Sequence, residues 1–322
     1  MQQQPSVRMF SLGAVIGTIL LVGTCLPAPV HAGASKPKGP DRNCYKVAQD
    51  SSLACQNSAQ EEYWLAIAHC DNAPGKDAKG LCPKAAQSEQ RTERKECGEK
   101  LAGRKDICDQ LGGGKYNPAI SPSNFTTQVT NPLFPLQPGT TFNYEGDTAD
   151  GHESEVFQVT HETREFLGVS CVAVRDTSTL DGELSEDTID WFAQDTAGNV
   201  WYFGEDSRAY EDGILVSIDG SWLTGVDGAQ PGIVMKASPK AGDVYRQEYA
   251  IDEAEDMADI VGLGRSVTVP YGSWGNALET HEFSGLEPSA SERKFYIPSI
   301  GFVLAVDDET GKRLELVSIT HD

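Results

Sequence analysis

Three patterns of apolar and polar positions succeed one another along the chain. The first is an unbroken apolar run over residues 9–26, preceded by Arg8 and broken by Pro27 and Pro29. The second, over residues 46–111, is dominated by Gln, Glu, Lys, Arg and Ala and holds few large apolar side chains. The third begins near Asn131 and alternates at period two, as in residues 155–161, 169–175 and 188–193. Alternation at that period predicts half-buried strands, because successive side chains leave a strand on opposite faces.

The apolar run and its flanks read as a signal peptide over residues 1–32, with Val30-His31-Ala32 supplying small residues where a signal peptidase cleaves. Its length also suits a membrane anchor, since about 20 apolar residues span a bilayer. Cys25, after Leu21-Val22-Gly23-Thr24, marks a third alternative, a lipid anchor, although Thr24 stands where Gly or Ala is usual. Residues 33–43 form a flexible N-terminus. No later stretch is apolar enough to span, so the mature chain is expected in a secreted or periplasmic setting, where disulfides persist.

Seven cysteines follow Cys25, and the first six (Cys44, Cys55, Cys70, Cys82, Cys97 and Cys108) are spaced by 11, 15, 12, 15 and 11 residues. The series reads the same in both directions. On a helix turning about 100° per residue, a step of 11 is three turns plus about 20° and a step of 15 is four turns plus about 60°. Cys44, Cys55 and Cys70 therefore share one face of a helix, and Cys82, Cys97 and Cys108 share one face of its return. This predicts an antiparallel α-hairpin over residues 44–114 with three nested disulfides: Cys44–Cys108, Cys55–Cys97 and Cys70–Cys82. Asn72, Pro74 and Gly75 mark its turn, Pro83 suits a first helical turn, and Gly112-Gly113-Gly114 ends it. The rival, a metal cluster, lacks the close ligand pairs that zinc sites use. Covalent rungs would replace a core that the apolar content cannot supply. Such a hairpin serves either as a rigid polar spacer or as an arm that docks a partner.

Residues 115–130, with Pro118, Pro122, Ser121 and Ser123, read as a linker. Strand-like runs then recur at 244–249, 266–269, 294–297, 301–306 and 313–319, with a tight hairpin turn at Asp212-Gly213. Only residues 253–261 admit a helix. The fold class expected is thus α+β multidomain, the α-hairpin followed by an acidic antiparallel β domain over 131–322. That domain is a sandwich, a barrel or a curved meander sheet.

Charge narrows the partners. The whole chain carries −22, and residues 116–322 hold 11 basic against 36 acidic side chains. Nucleic acid and anionic membranes both require a basic footprint, so neither is expected as the main partner. An unknown small molecule or protein remains.

The strings NPLFPLQPGTTFNYEG, DTIDWFAQDTAGNVWYFGED, DGAQPGIVMKASPKAGDVYRQEYAIDEAEDMAD and FYIPSIGFVLAVDDETGKRLELVSI resemble a family of exported bacterial β-rich proteins without an assigned activity, over roughly residues 131–319. The FPLxPGT opening and the Gly-Phe-Val-Leu strand are also similar to β-rich bacterial lipoproteins. The resemblance implies export and a β-rich fold, and it supplies no catalytic residue.

Candidate chemistry is sparse. His152, His161, His281 and His321 show no zinc-binding spacing, no GxSxG elbow exists, and Gly112-Gly113-Gly114-Lys115 lacks a phosphate-loop frame. Cys171, on an apolar strand, reads as a buried free thiol. Acids cluster at Glu186/Asp187/Asp190, Glu205/Asp206, Glu211/Asp212 and Asp252/Glu253/Glu255/Asp256/Asp259. A carboxylate pair among them would suit glycoside hydrolysis. Asp252, Glu253, Glu255 and Asp256 would suit calcium, the single cofactor the sequence suggests. The consecutive aromatics Trp191-Phe192 and Trp201-Tyr202-Phe203 place a ring on each face of their strands. They are either packed on both sides or a binding platform of Trp191, Trp201, Tyr202 and Glu205 for a cationic or hydroxyl-rich ligand. Three functions follow: an exported non-enzymatic binding protein, a secreted hydrolase using a carboxylate pair, and a calcium-stabilised structural module.

Overall fold

The computed structural model describes residues 42–74 and 80–322. The segments expected as signal peptide (1–32) and N-terminal extension (up to Asp41), the lipid-anchor candidate Cys25 and part of the expected hairpin turn lie outside the described residues. These residues divide into two compact units. One comprises Asn117–Ser284 and Ala290–Asp322; the other holds the helices to Tyr116, with Gly285–Ser289.

The helical unit is the hairpin anticipated from the cysteine spacing. Helix α1 (Asn43–Asn72) and helix α2 (Cys82–Leu111) are joined by Cys44–Cys108, Cys55–Cys97 and Cys70–Cys82. The Cα separations are 5.7, 5.8 and 5.6 Å, inside the range a disulfide tolerates. The helices bury little: Ala48, Ser52, Ala59, Ala86, Arg104 and Ile107 are their buried residues beside cystine. Larger apolar side chains, including Leu53, Trp64 and Leu65, lie exposed. Gly112 ends α2 in the left-handed region (φ 87°), where a glycine costs nothing sterically, and the Cys44 N–H donates to Gly113 O at 3.2 Å. Tyr45 Oη donates to Asp109 at 2.6 Å across the open end.

In the β unit a short strand β1 (Phe125–Thr126) precedes a meander of β2 (Thr140–Asp147), β3 (His152–Phe166), β4 (Val169–Leu180), β5 (Glu183–Asp195) and β6 (Val200–Asp206). An outgrowth follows, of β7 (Ala209–Glu211), β8 (Ile214–Ser217) and β9 (Trp222–Leu223). The wall resumes with β10 (Gln230–Met235), β11 (Val244–Arg246) and β12 (Glu248–Tyr249). It ends in a second meander, β13 (Asp256–Val269), β14 (Gly272–Ser284), β15 (Ser291–Ile297), β16 (Gly301–Asp307) and β17 (Arg313–His321). All pairings are antiparallel. Strand β6 pairs β10, β10 pairs β12, β11 pairs β13, and β17 returns to β2 with Ile319 opposite Phe142. The sheet thereby forms a nearly closed barrel, the second of the three architectures that the alternation left open.

Two local expectations are corrected. Residues 253–261 form no helix: three turn residues lead into β13, whose inward Asp256, Ala258 and Ile260 alternate with outward neighbours. Period two wins because the segment must pair with β11 and β14 on both edges. The linker assigned to 115–130 is in its second half part of the barrel unit. Phe125 and Thr126 pair with Asp195 and Gln194, and Val129 is core. The Asp212-Gly213 turn is as read, with positive φ at both residues (51° and 73°).

The wall contains several close backbone approaches at glycine, one of them on β10. Gly232 on β10 lies under β12, where a Cβ would overlap the Gln247 carbonyl. Gly232→Ala is expected to destabilise the barrel by about 1–3 kcal/mol, the usual cost of overpacking, measured as a lowered denaturant midpoint at unchanged m-value. Residues 117–322 produced without the helices should unfold in one cooperative transition; a random-coil far-ultraviolet spectrum would place the unit boundary elsewhere.

Candidate functional site

Barrel closure sorts side chains into inside and outside, and the inward ones change character along the axis. On β3 the inward series is Glu153, Glu155, Phe157, Val159; on β4 it is Ser178, Asp176, Val174, Val172; on β5 it is Glu186, Thr188, Asp190, Phe192. Strand β6 contributes Glu205, Tyr202 and Val200, β14 contributes Glu282, Thr280 and Leu278, and β15 contributes Glu292, Lys294 and Tyr296. The register aligns these series: Asp190 faces Glu205, Glu282 faces Glu292 and Thr280 faces Lys294. One end of the interior is therefore acidic and the other apolar. The segment before β2 closes the apolar end, with Phe134 and Leu136 buried and the Phe134 ring 5.4 Å from Phe192 and 6.5 Å from Phe157. A cavity of about 20 Å³ between Phe134, Tyr144, Phe157 and Phe302 has room for about one water molecule.

Buried acids need partners, and most of these have them. Lys294 Nζ sits 3.0 Å from Glu282 Oε2 and 2.9 Å from Glu292 Oε1. Thr280 and Tyr296 donate to Glu282 Oε1 at 2.9 and 3.0 Å. Glu186 accepts from Thr188 at 2.7 Å and from Ser207 at 3.2 Å. Tyr202 Oη donates to Asp190 and lies 3.2 Å from Glu205 Oε2; Trp222 Nε1 donates to Glu248 Oε2 at 2.6 Å. Glu155 (0% exposed) and Asp176 (5%) differ. Neither oxygen of either carboxyl meets a hydrogen-bond partner.

The titration of the layer follows from burial. Desolvation, then the neighbouring Glu153 charge, pushes Glu155 up to about 8 against the opposing pull of Lys294. Burial and then Glu155 raise Asp176 well above the usual carboxylate range. Glu153, Asp256 and Glu292 each rise to about 7, again chiefly through desolvation, and Glu248 and Glu186 rise for the same leading reason. Burial alone would lower Lys294, but the Glu282 and Glu292 charges outweigh it and keep the ammonium protonated.

Strand alternation divides the four-residue platform anticipated from the sequence. Tyr202 and Glu205 face the interior. Trp191 and Trp201 face out, in a second cluster with Phe166, Cys171, Ala173 and Phe203, against which Phe125 and Ile120 pack. Trp201 Nε1 donates to Asp195 Oδ2 at 2.9 Å, and the Arg164 guanidinium stacks 4.6 Å from the Trp191 ring. The four side chains form no single site. Cys171 is buried and free in that outer cluster, where burial holds its thiol pKa up. The calcium quartet is not assembled either. Glu255 accepts from the Asp252 N–H at 2.9 Å within the turn, Asp252 and Glu253 are exposed, and Asp256 enters the barrel. Among the described residues no three His, Cys, Asp or Glu side chains are grouped to hold a metal ion. His281 pairs with Asp259 at 2.9 Å and His152 with Asp147 at 3.0 Å, away from the acid layer.

Glu153, Glu155, Asp176, Glu282, Glu292 and Lys294 were not singled out by the sequence reading. Their signal is the period-two string Glu153-x-Glu155-x-Phe157-x-Val159, in which acids continue the apolar face rather than oppose it.

The pH dependence has a definite sign. A carboxyl whose folded pKa exceeds its unfolded value stabilises the fold below the unfolded value, near 4.5, and that contribution is lost as pH rises through the folded one. Thermal stability should therefore fall between about pH 5 and pH 9, as Glu153, Asp256 and Glu292 (about 7) and Glu155 (about 8) lose protons. His152 and His281, both raised by carboxylate hydrogen bonds, add to the same trend. Glu155→Gln isolates the interior share: melting curves should show a shallower decline and a higher Tm at pH 9 than the parent.

Comparison of the chain with protein families, with curated proteins and with solved structures gives no match.

Proposed function

We propose that this chain is an exported, non-enzymatic binding protein whose barrel receives a cationic ligand at its acidic end. The observation that carries the reading is the pair Glu155 and Asp176, buried without hydrogen-bond partners amid further carboxylates. An ionised carboxylate in such surroundings is costly unless a positive charge joins it. Three disulfides support an oxidising compartment, and no helix among the described residues is long and apolar enough to cross a membrane.

The hydrolase reading has one observation in its favour, the Asp190–Tyr202–Glu205 cluster. Acid–base chemistry, however, uses two carboxyl groups whose environments push their pKa values apart. Here every resolved interior acid shifts upward for the same leading reason, burial. A calcium module would need six to eight oxygens around one ion, and the quartet nominated for it is dispersed.

The test is a thermal-shift screen at pH 8 of small cations, anions and neutral sugars. Cations should raise Tm progressively with concentration, the added stability reaching about 2.7 kcal/mol at a hundredfold excess over Kd. Anions and sugars should leave it unchanged. Stabilisation by sugars alone, or turnover of a glycoside, would overturn the reading in favour of the hydrolase.

A further inference from the structure

The barrel contains its own example of how it holds a positive charge. Lys294 Nζ lies between two carboxylates on adjacent strands, Glu282 of β14 and Glu292 of β15, at 3.0 and 2.9 Å, and the whole group is buried. Glu282 and Glu292 are directly opposed in the register. On β3 and β4 a second two-carboxylate arrangement occurs at the same polar level. Asp176 is opposite Phe157 and Glu155 is opposite Ser178, so the two acids are diagonal neighbours on the inward face. The donors around them are committed elsewhere. The hydroxyl of Tyr144, which sits opposite Glu155, donates to Phe302 O at 3.1 Å, and those of Thr188 and Ser207 donate to Glu186.

We infer that Glu155 and Asp176 form a receptor for the terminal primary ammonium of an unbranched amine, a counterpart of the Lys294 site supplied from outside the chain. The inference rests on the cation-binding reading above and narrows it to one chemistry. Both arrangements combine two carboxylates with one ammonium, and a primary ammonium brings three N–H donors to carboxyls whose four oxygens have no hydrogen-bond partner. A divalent metal fits poorly, because it takes several more oxygens and no group of three acids is placed to hold one among the described residues. A quaternary ammonium has no N–H to donate and binds through an aromatic cage instead. The rings opposite the two acids in the register are committed to packing: Tyr144 lies 5.0 Å from Phe302, and Phe157 lies 6.1 Å from Phe142 and 6.5 Å from Phe134. Depth favours an unbranched stem, since Glu155 is fully buried behind Glu153 and Glu186. Because the pair retains protons near neutrality, an arriving ammonium displaces them, and uptake is coupled to proton release.

Calorimetry on the full disulfide-bonded chain at pH 7.5 provides the test, in two buffers of different ionisation enthalpy. The probes are 1,4-diaminobutane, its bis-trimethylammonium analogue, Nα-acetyl-lysine amide and calcium chloride. The expected result is binding of 1,4-diaminobutane with proton release, weakened at least tenfold in Glu155→Gln/Asp176→Asn, with no binding of the quaternary analogue or calcium. Equal binding of Nα-acetyl-lysine amide assigns the ammonium to a polypeptide side chain; binding of the diamine alone assigns it to a free amine. Binding of calcium or the quaternary analogue as tight as the diamine overturns the ammonium assignment and leaves cation binding standing. Absence of binding by every cation overturns both. The buffer comparison uses the unmodified chain, so diamine binding without proton release counts against the inference even where the double variant fails to fold.

Discussion

Taking a carboxylate out of water costs several kcal/mol unless something of opposite charge or a set of donors replaces the lost hydration. A nearly closed barrel imposes that condition on every acid pointing inward, because the inner face of its sheet is shielded from solvent. The interior of this protein is organised by it. Apolar rings fill the end where Phe134 and Leu136 close the wall, and acids are confined to the other end. Within the acid layer Lys294, Tyr202, Tyr296, Trp222 and Thr188 satisfy most carboxyls. Glu155 and Asp176, in which neither oxygen has a hydrogen-bond partner, define the candidate site.

The two units meet the problem of a small core in opposite ways. The hairpin buries mostly alanine, serine and cystine and relies on covalent closure, which acts largely by restricting the unfolded chain. The barrel has a continuous core from Val129 to Leu316 and contains no disulfide among its described residues. Reduction of the three disulfides therefore acts on the hairpin, whereas most of the strongly shifted carboxyls lie in the barrel.

How much was legible in the sequence follows from how local each signal is. The cysteine spacings encode both the helical period and the antiparallel return, so the three pairings could be derived from numbers alone. Strand alternation was equally readable at 155–161 and 169–175, but not which face becomes the inside, because that depends on closure through β17 and β2. Inward and outward acids were consequently indistinguishable, and Glu155 and Asp176 passed unnoticed. The same ignorance of inside and outside joined Trp191 and Trp201 to Tyr202 and Glu205, although alternation puts them on opposite faces. Residues 253–261 read as helix from their composition; their pairing on both edges overrode it.

The pairing of β17 with β2 has a bearing on how the molecule is made. Strand β2 opens the wall near residue 140, and its partner along that edge lies at residues 313–321. A chain emerging from the ribosome amino-terminus first has no lateral mate for β2 on that side until residues 313–321 have been made. The hairpin contacts are complete much earlier, at Cys108. The helical contacts can thus form while the chain is still being made, whereas the acid-lined interior comes into being only once synthesis has reached the last strand.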